Sequence, residues 1–334
     1  MTTIHDVAKR AGVAPITVSR VINNTGYASQ ETRERVETAI TELGYIPNVL
    51  ARSLRSKRTN TLALVMTDIT NPFFTVIARG VEDTASESGY TVIYCNTDES
   101  ETGEYKYAQI LAQKQVDGVI LVPACSNSKT VEFFQSNNIP VVLIDRSIPD
   151  VETDVVRCDS VSGAYQLVKL LIDLGHTRIA VLSGPREIST AEDRVTGYRL
   201  ALSEAGLAGN ELVYYGSFTQ AKGYDLAVQV MAKTSPPTAL FCANNFISIG
   251  ALKSLRDSGL RVPEDVALVG FDDLPVNMVI DPFFTVAAQP AYEMGQRGTE
   301  LLIERLTGGA PDECQEVILP IEIIVRKSSG LARF

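Results

Sequence analysis

Tryptophan is absent from the 334 residues, and histidine occurs only twice, at His5 and His176. That leaves little material for imidazole-based catalysis or a His-rich metal site. His5 falls in a basic N-terminal segment, and His176 precedes the apolar run of GHTRIAV, where a structural role is the default. The five cysteines (Cys95, Cys125, Cys158, Cys242, Cys314) are odd in number, scattered and never spaced as CxxC. This argues against a disulfide framework and a zinc site, and for a reducing compartment. No apolar run reaches the roughly 18 residues of a membrane-spanning helix. The opening MTTIHDVAKR lacks the apolar core of a secretory signal. A cytoplasmic location is therefore expected. Neither GxGxxG nor GxxxxGK[ST] follows an apolar run, so nucleotide phosphate sites have no sequence support. No catalytic constellation, cofactor or metal is expected, and the chain does not read as an enzyme.

What is present is a charge asymmetry. Residues 1–60 hold nine Lys/Arg against five acids, a net of +4, while the remainder carries 21 basic and 35 acidic residues, or −14. A basic head on an acidic body can bring only the head to phosphate. Within the head, Thr3 reads as a helix cap with Asp6 three residues on. Ile4, Val7, Ala8 and Ala11 follow at helical spacing. Gly12 supplies a tight turn, and Pro15 suits the first position of a second helix, where its missing N–H costs nothing. Val18, Val21 and Ile22 make that helix's inner stripe, leaving Ile16, Thr17, Ser19 and Arg20 on other faces. A third helix is expected from about Gln30 to Leu43, stopped by Gly44. Two short helices about a glycine turn, backed by a third, make a helix-turn-helix, whose second helix enters the DNA major groove.

The strings IHDVAKRAGVAPITVSRVINN, ETRERVETAITELGYIPN and ARSLRSKRTNTLALV resemble the N-terminus of the LacI family of bacterial repressors, without gaps from Ile4 to about Val65. The resemblance implies DNA contacts from Thr3, Pro15, Ile16, Thr17, Ser19, Arg20 and Asn23. It also implies that Asn48–Leu54 is a hinge helix, folding only when two subunits meet on DNA, with Leu54 wedged into the minor groove and Ala51 beside it. The two positions that help read the operator in this family are here Pro15 and Ile16, which offer only apolar contact. The implied domains are a helix-turn-helix over 1–46, a hinge and linker over 47–60, and an effector and dimerisation domain over 61–334.

After Thr61 apolar runs of strand length alternate with amphipathic helices. Strands are expected at 61–67, 90–95, 117–122, 140–144, 154–157, 178–183, 212–216, 238–242, 266–270, 284–288 and 316–326. Helices are expected at 73–88, 103–115, 160–174, 190–205, 221–234, 246–258 and 290–307, among others. Such alternation means parallel sheets covered on both faces, and there are too many strands for one sheet. The sequence splits near 155–160 into two similar halves. Two doubly wound α/β lobes follow, with a ligand cleft at the carboxyl ends of the strands.

At those strand ends stand Asn71, Phe73, Phe74, Asp145, Arg146, Arg194, Phe218, Asn244, Asp272 and Gln289. Aromatic faces can cover the C–H surfaces of a sugar ring, while carboxylates, amides and guanidinium groups bond its hydroxyls. Each has a duller explanation alone: TNPFF as a turn with two core phenylalanines, Asp145-Arg146 as an ion pair. The body resembles the periplasmic sugar-binding proteins, and the ten residues match the ring-contacting set of the ribose-binding proteins. That likeness implies a periplasmic-binding-protein-like domain in which Phe74 and Phe218 sandwich the ring with Phe73 alongside. Asn245 departs from the aspartate commonly found there in the family. The reading is a homodimeric, sequence-specific repressor on double-stranded operator DNA, controlled by a small sugar, ribose or a similar monosaccharide, acting as inducer. The alternative is a purine or another small metabolite as corepressor of the same fold.

Overall fold

The computed structural model describes residues 2–23, 25–45, 58–274 and 281–330. Two compact units divide the chain, Met1–Thr59 and Asn60–Phe334.

In the first unit, α1 (Ile4–Ala11), α2 (Pro15–Asn23) and α3 (Gln30–Leu43) close on a core of Val7, Ala8, Ala11, Val18, Val21, Val36 and Ala39. The Thr3 hydroxyl accepts from the Asp6 N–H at 3.4 Å, and the Thr3 N–H donates to the Asp6 carboxylate at 2.8 Å. The Thr3 hydroxyl, which also donates to the Asp6 carboxylate at 2.7 Å, and the Thr3 N–H together hold Asp6 below its ordinary carboxylate pKa. Gly12 and Gly44 end α1 and α3 at φ of 66° and 56°, a region that favours glycine. Arg35 of α3 donates to the carbonyls of Ala11 and Gly12, tying the turn to the third helix.

The second unit holds two six-stranded sheets. The first, all parallel, contains β1 (Thr61–Met66), β2 (Thr91–Asn96), β3 (Gly118–Leu121), β4 (Val141–Ile144), β5 (Asp154–Cys158) and β11 (Glu316–Leu319), in the order β11-β5-β4-β3-β1-β2. The second contains β6 (Ile179–Ser183), β7 (Leu212–Tyr215), β8 (Ala239–Cys242), β9 (Ala267–Phe271), β10 (Thr285–Ala288) and β12 (Glu322–Ile324), in the order β12-β10-β9-β8-β6-β7. Only β12 runs antiparallel to its neighbour.

Helices cover both faces of each sheet. On the first, α4 (Pro72–Glu87) and α11 (Ala291–Thr307) pack on one face, α5 (Glu101–Lys114) and α6 (Lys129–Ser136) on the other. On the second, α7 (Ser160–Asp173) and α8 (Ser189–Glu204) lie on one face, α9 (Gln220–Met231) and α10 (Asn245–Asp257) on the opposite one. The inner strands β1, β3, β4, β6, β8 and β9 are buried on both sides and therefore read as continuous apolar runs, while the edge strands β2, β7, β11 and β12 are partly open. Among the described residues, no helix is long and apolar enough to cross a membrane.

Two details differ from the sequence reading. The lobes are not sequential halves: after the crossing that follows β5, α11 and β11 return to the first lobe. The expected single strand at 316–326 is two strands in two sheets, interrupted at Pro320-Ile321, because proline removes a ladder donor. The chain thus passes between the lobes three times, and the strand ends of both sheets face one cleft.

Candidate functional site

The cleft encloses a cavity of about 40 Å³, lined by Asp68, Asn71, Phe73, Phe74, Glu99, Asp145, Arg146, Thr190, Arg194, Phe218, Thr219, Asn244 and Asp272. Nine of the ten residues singled out from the sequence line it. Gln289 stands one step behind, donating to the Asp272 carboxylate at 2.6 Å and lining a neighbouring groove.

The two lobes contribute matching devices. Asp145 follows β4 and Asp272 follows β9, each at φ 67°. Each donates its N–H to the next strand, Asp145 to the Val156 carbonyl at 2.9 Å and Asp272 to the Ala287 carbonyl at 3.0 Å. Left-handed backbone is costly for most side chains, and aspartate tolerates it better than most. Such strain concentrates where a side chain has to be aimed. Asn71 and Asn244 likewise cap α4 and α10, their side-chain oxygens accepting from the Phe73 N–H at 3.0 Å and the Ile247 N–H at 2.8 Å. With the oxygen committed to the cap, each asparagine presents its NH₂ as a donor.

Arg146 is held on three sides. Its two terminal nitrogens donate bidentately to Glu99, both at 2.7 Å, and one also donates to the Pro123 carbonyl at 2.8 Å. Its guanidinium lies 5.5 Å from the Phe218 ring centroid, and its Nε is 3.8 Å from the Asp145 carboxylate. Arg194 donates to the Ala243 carbonyl at 2.6 Å and stacks 3.9 Å over Phe271. Asp145 Oδ1, Arg146 Nε and Arg194 Nε are nevertheless buried without a hydrogen-bond partner. Burial pushes the Asp145 carboxyl up to about 6, against the pull of Arg194 and Arg146, and raises Asp272 as well.

The aromatic residues serve two ends. Phe73 and Phe74 meet edge to face at 5.2 Å and belong to the core of the first lobe as well as to the cavity wall. Phe218 packs against Gly184, where a Cβ would collide with the ring. Sequence reasoning missed Asp68, Glu99, Thr190 and Thr219. A partial signal was available for two of them, since Asp68 and Glu99 lie two and three residues past the ends of β1 and β2.

In the first unit, α2 exposes Arg20 and half of Ile16, with Pro15, Thr17, Ser19 and Asn23 half-buried. Asn23 spends its amide on the Ser19 carbonyl at 2.7 Å, and Thr3 spends its hydroxyl on Asp6 at 2.7 Å. Ala51 and Leu54 lie outside the described residues.

Comparison with known proteins agrees with this division. The sequence profile described as "Bacterial regulatory proteins, lacI family" matches residues 3–48. That of "Periplasmic binding proteins and sugar binding domain of LacI family" matches residues 59–326. The transcriptional regulator DegA of Bacillus subtilis (strain 168) is 38% identical over 333 residues, covering 98% of both chains. The transcriptional repressor PurR of Vibrio campbellii (strain ATCC BAA-1116) is 36% identical over 330 residues, again 98% of both. The lac repressor dimer bound to operator and the anti-inducer ONPF superposes with a TM-score of 0.86 at 27% identity, covering 98% of this chain and 99% of that one. The chain belongs to the LacI family of bacterial regulatory proteins.

Proposed function

We propose that this protein is a homodimeric transcriptional repressor, bound to operator DNA through residues 1–46 and a hinge at 47–60, and induced by a small neutral sugar. Ribose or a closely similar monosaccharide is the effector. The observation that carries this reading is the cavity wall. Two aromatic surfaces flank an acceptor on Asp145 and donors on Arg146 and Arg194 that are buried and unpaired. Leaving such groups unpaired is expensive, and a hydroxyl, which both donates and accepts, satisfies either kind. Glu99, Asp145 and Asp272 outnumber the two arginines, and Glu99 already holds both terminal nitrogens of Arg146. An anionic ligand meets repulsion there, and an uncharged one does not.

Likeness to a PurR repressor supports a second reading, with a purine as corepressor. Calorimetric titration with ribose, other pentoses, common hexoses, hypoxanthine and guanine separates the two. Saturable binding of ribose or an epimer is the expected result, and binding of a purine alone overturns the sugar assignment. The effector changes operator affinity only by its differential affinity for the two protein states, so inducer or corepressor is then decided by operator titration with and without it.

The Asp145 carboxyl gives that titration a pH signature. Sugar hydroxyls donate to the ionised form, whose fraction falls as pH drops through about 6. Affinity therefore weakens on acidification, while Asp145→Asn binds more weakly at neutral pH and loses this pH dependence. The contribution to folding runs the other way. A carboxyl whose folded pKa lies above its unfolded value of about 3.9 binds its proton more tightly when folded, so this group adds stability as pH falls from about 6 towards 4.

On the DNA side, Arg20→Ala tests the exposed face of α2. If Arg20 reads a base edge, affinity for the cognate operator falls by about 1–3 kcal/mol and discrimination relaxes at one base pair. If it meets phosphate, affinity falls evenly across sequences and the salt slope drops by about one. Unchanged operator binding in a filter or mobility assay removes α2 from the interface.

A further inference from the structure

Two sets of hydrogen bonds cross the cleft directly. In one, Asn71 and Asn245, 174 residues apart, bond reciprocally: the Asn245 amide donates to the Asn71 oxygen at 2.9 Å, and the Asn71 amide donates to the Asn245 oxygen at 3.2 Å. Both residues are buried, at 4% and 2% exposure. In the other, the Ser147 N–H donates to the Ser189 hydroxyl at 3.1 Å, and the Ser126 hydroxyl donates to the Glu187 carbonyl.

The topology puts these two sets on opposite sides. Asn71 and Asn245 begin α4 and α10, which cover one face of the first sheet and one of the second. Ser126 leads into α6, and Glu187 and Ser189 lead into α8, which cover the other two faces. The cavity lies between the two sets, bordered by Asn71 on one side and Thr190 on the other.

We propose that the Asn71–Asn245 pair is a clasp that holds the lobes closed over the cleft, making Asn245 a positioning residue that sets the population of the closed state. The amide pair is self-complementary in a way that fixes its partner. Asn71 cannot turn its side chain over, because its oxygen is committed to the Phe73 N–H at the cap of α4. Asn245 must therefore offer a donor to that oxygen and an acceptor to the Asn71 NH₂ at once, which an asparagine does and a carboxylate does not. An ionised aspartate at 245 would set oxygen against oxygen where the 2.9 Å bond now lies.

Aspartate at this position separates the clasp from a merely local role. Asn245 is the first residue of α10, where the helix dipole favours a negative charge. A structural role confined to that helix makes Asn245→Asp neutral or stabilising, whereas the clasp makes it open the cleft.

The experiment reads the lobes without any ligand. Spin labels on native Cys314, exposed in the first lobe, and on Val228→Cys, exposed on α9 of the second, report the distance between lobes, with Cys125→Ser removing the half-buried thiol. Diluting labelled chains into an excess of unlabelled protein keeps the distances within one chain. The full-length protein is expected to give one narrow distribution, and Asn245→Asp a longer, broader one with the melting temperature kept. Asn245→Ala, which removes both bonds without adding charge, is expected to broaden it less and serves if the aspartate variant does not fold. Distributions matching the parent in both variants overturn the clasp.

The consequence for affinity rests on the sugar reading above. Ribose binding is expected to weaken about tenfold in Asn245→Ala, because the competent closed state is less populated. If the parent binds no sugar, the effector assignment fails while the distances still decide the clasp. If the parent binds and the variant binds equally, Asn245 does not govern closure.

Discussion

Arg146→Ala is expected to abolish sugar binding, with a loss of 100-fold or more, and to lower stability by about 2–3 kcal/mol. The affinity loss follows from how much of the site converges on this one side chain. Its guanidinium faces Phe218, its unpaired Nε lies beside Asp145, and its fork fixes Glu99 and the carbonyl of Pro123. Without it the Asp145 carboxyl loses one of the two cations that oppose its rise in pKa, so more of it is protonated at neutral pH and unable to accept. The stability figure sits below the roughly 3–5 kcal/mol for breaking a buried pair, because the Glu99 side chain is 32% open to water. Arg146→Lys restores the charge and not the fork, and one ammonium cannot serve both Glu99 oxygens and the Pro123 carbonyl in that geometry. Lysine is therefore expected to recover most of the stability and little of the affinity. Calorimetry with ribose and urea unfolding of both variants check this, and full affinity in Arg146→Ala removes the cleft as the effector site.

The behaviour of Arg146 also shows where reading the sequence stops. Strands buried on both faces leave unbroken apolar runs, so β1 and β4 fall within a residue of their expected limits. The capping chemistry of Thr3 and Asp6 and the glycine stops at Gly12 and Gly44 are equally local, and the three helices of the head follow from them. Pro320 was the local sign that 316–326 is two strands, but the choice of a different sheet for each half is made by partners far away in sequence. The return of α11 to the first lobe was hidden for the same reason. At the cleft, the strand-end residues were legible because doubly wound sheets put their carboxyl ends together. Which of them face each other was not. Glu99 reads as one acid among several after β2 until Arg146 is seen holding both of its oxygens. Asn245 was visible as a departure from a family pattern, but its partner Asn71 lies 174 residues away.

Gly250→Ala is expected to destabilise the protein by about 3 kcal/mol, although the substitution places a better helix former inside a helix. On propensity alone, alanine in the middle of α10 is worth about 1 kcal/mol in favour of folding. Against it stands the crossing of α9 and α10. A Cβ on Gly250 would collide with the Gln220 carbonyl oxygen and lie 2.7 Å from the Tyr224 backbone nitrogen. Gly223 returns the arrangement, its Cβ position lying 2.6 Å from Ile247 Cα and carbonyl oxygen. These obstacles are backbone atoms of a helix, which cannot rotate away as a side chain would, so the helices must part. Parting them loosens Leu226, Ala227, Ile247 and Ala251, all fully or almost fully buried, and overpacking of this kind costs more than propensity returns. It also displaces Asn244 and Asn245 at the start of α10, so sugar affinity is expected to fall with stability. Gly209→Ala is the control: nothing lies within 4 Å of its Cβ position. That variant is expected to match the parent or gain a few tenths of a kcal/mol through the unfolded chain. Urea midpoints distinguish the cases, and a Gly250→Ala protein as stable as the parent would mean that α9 and α10 do not approach through glycine.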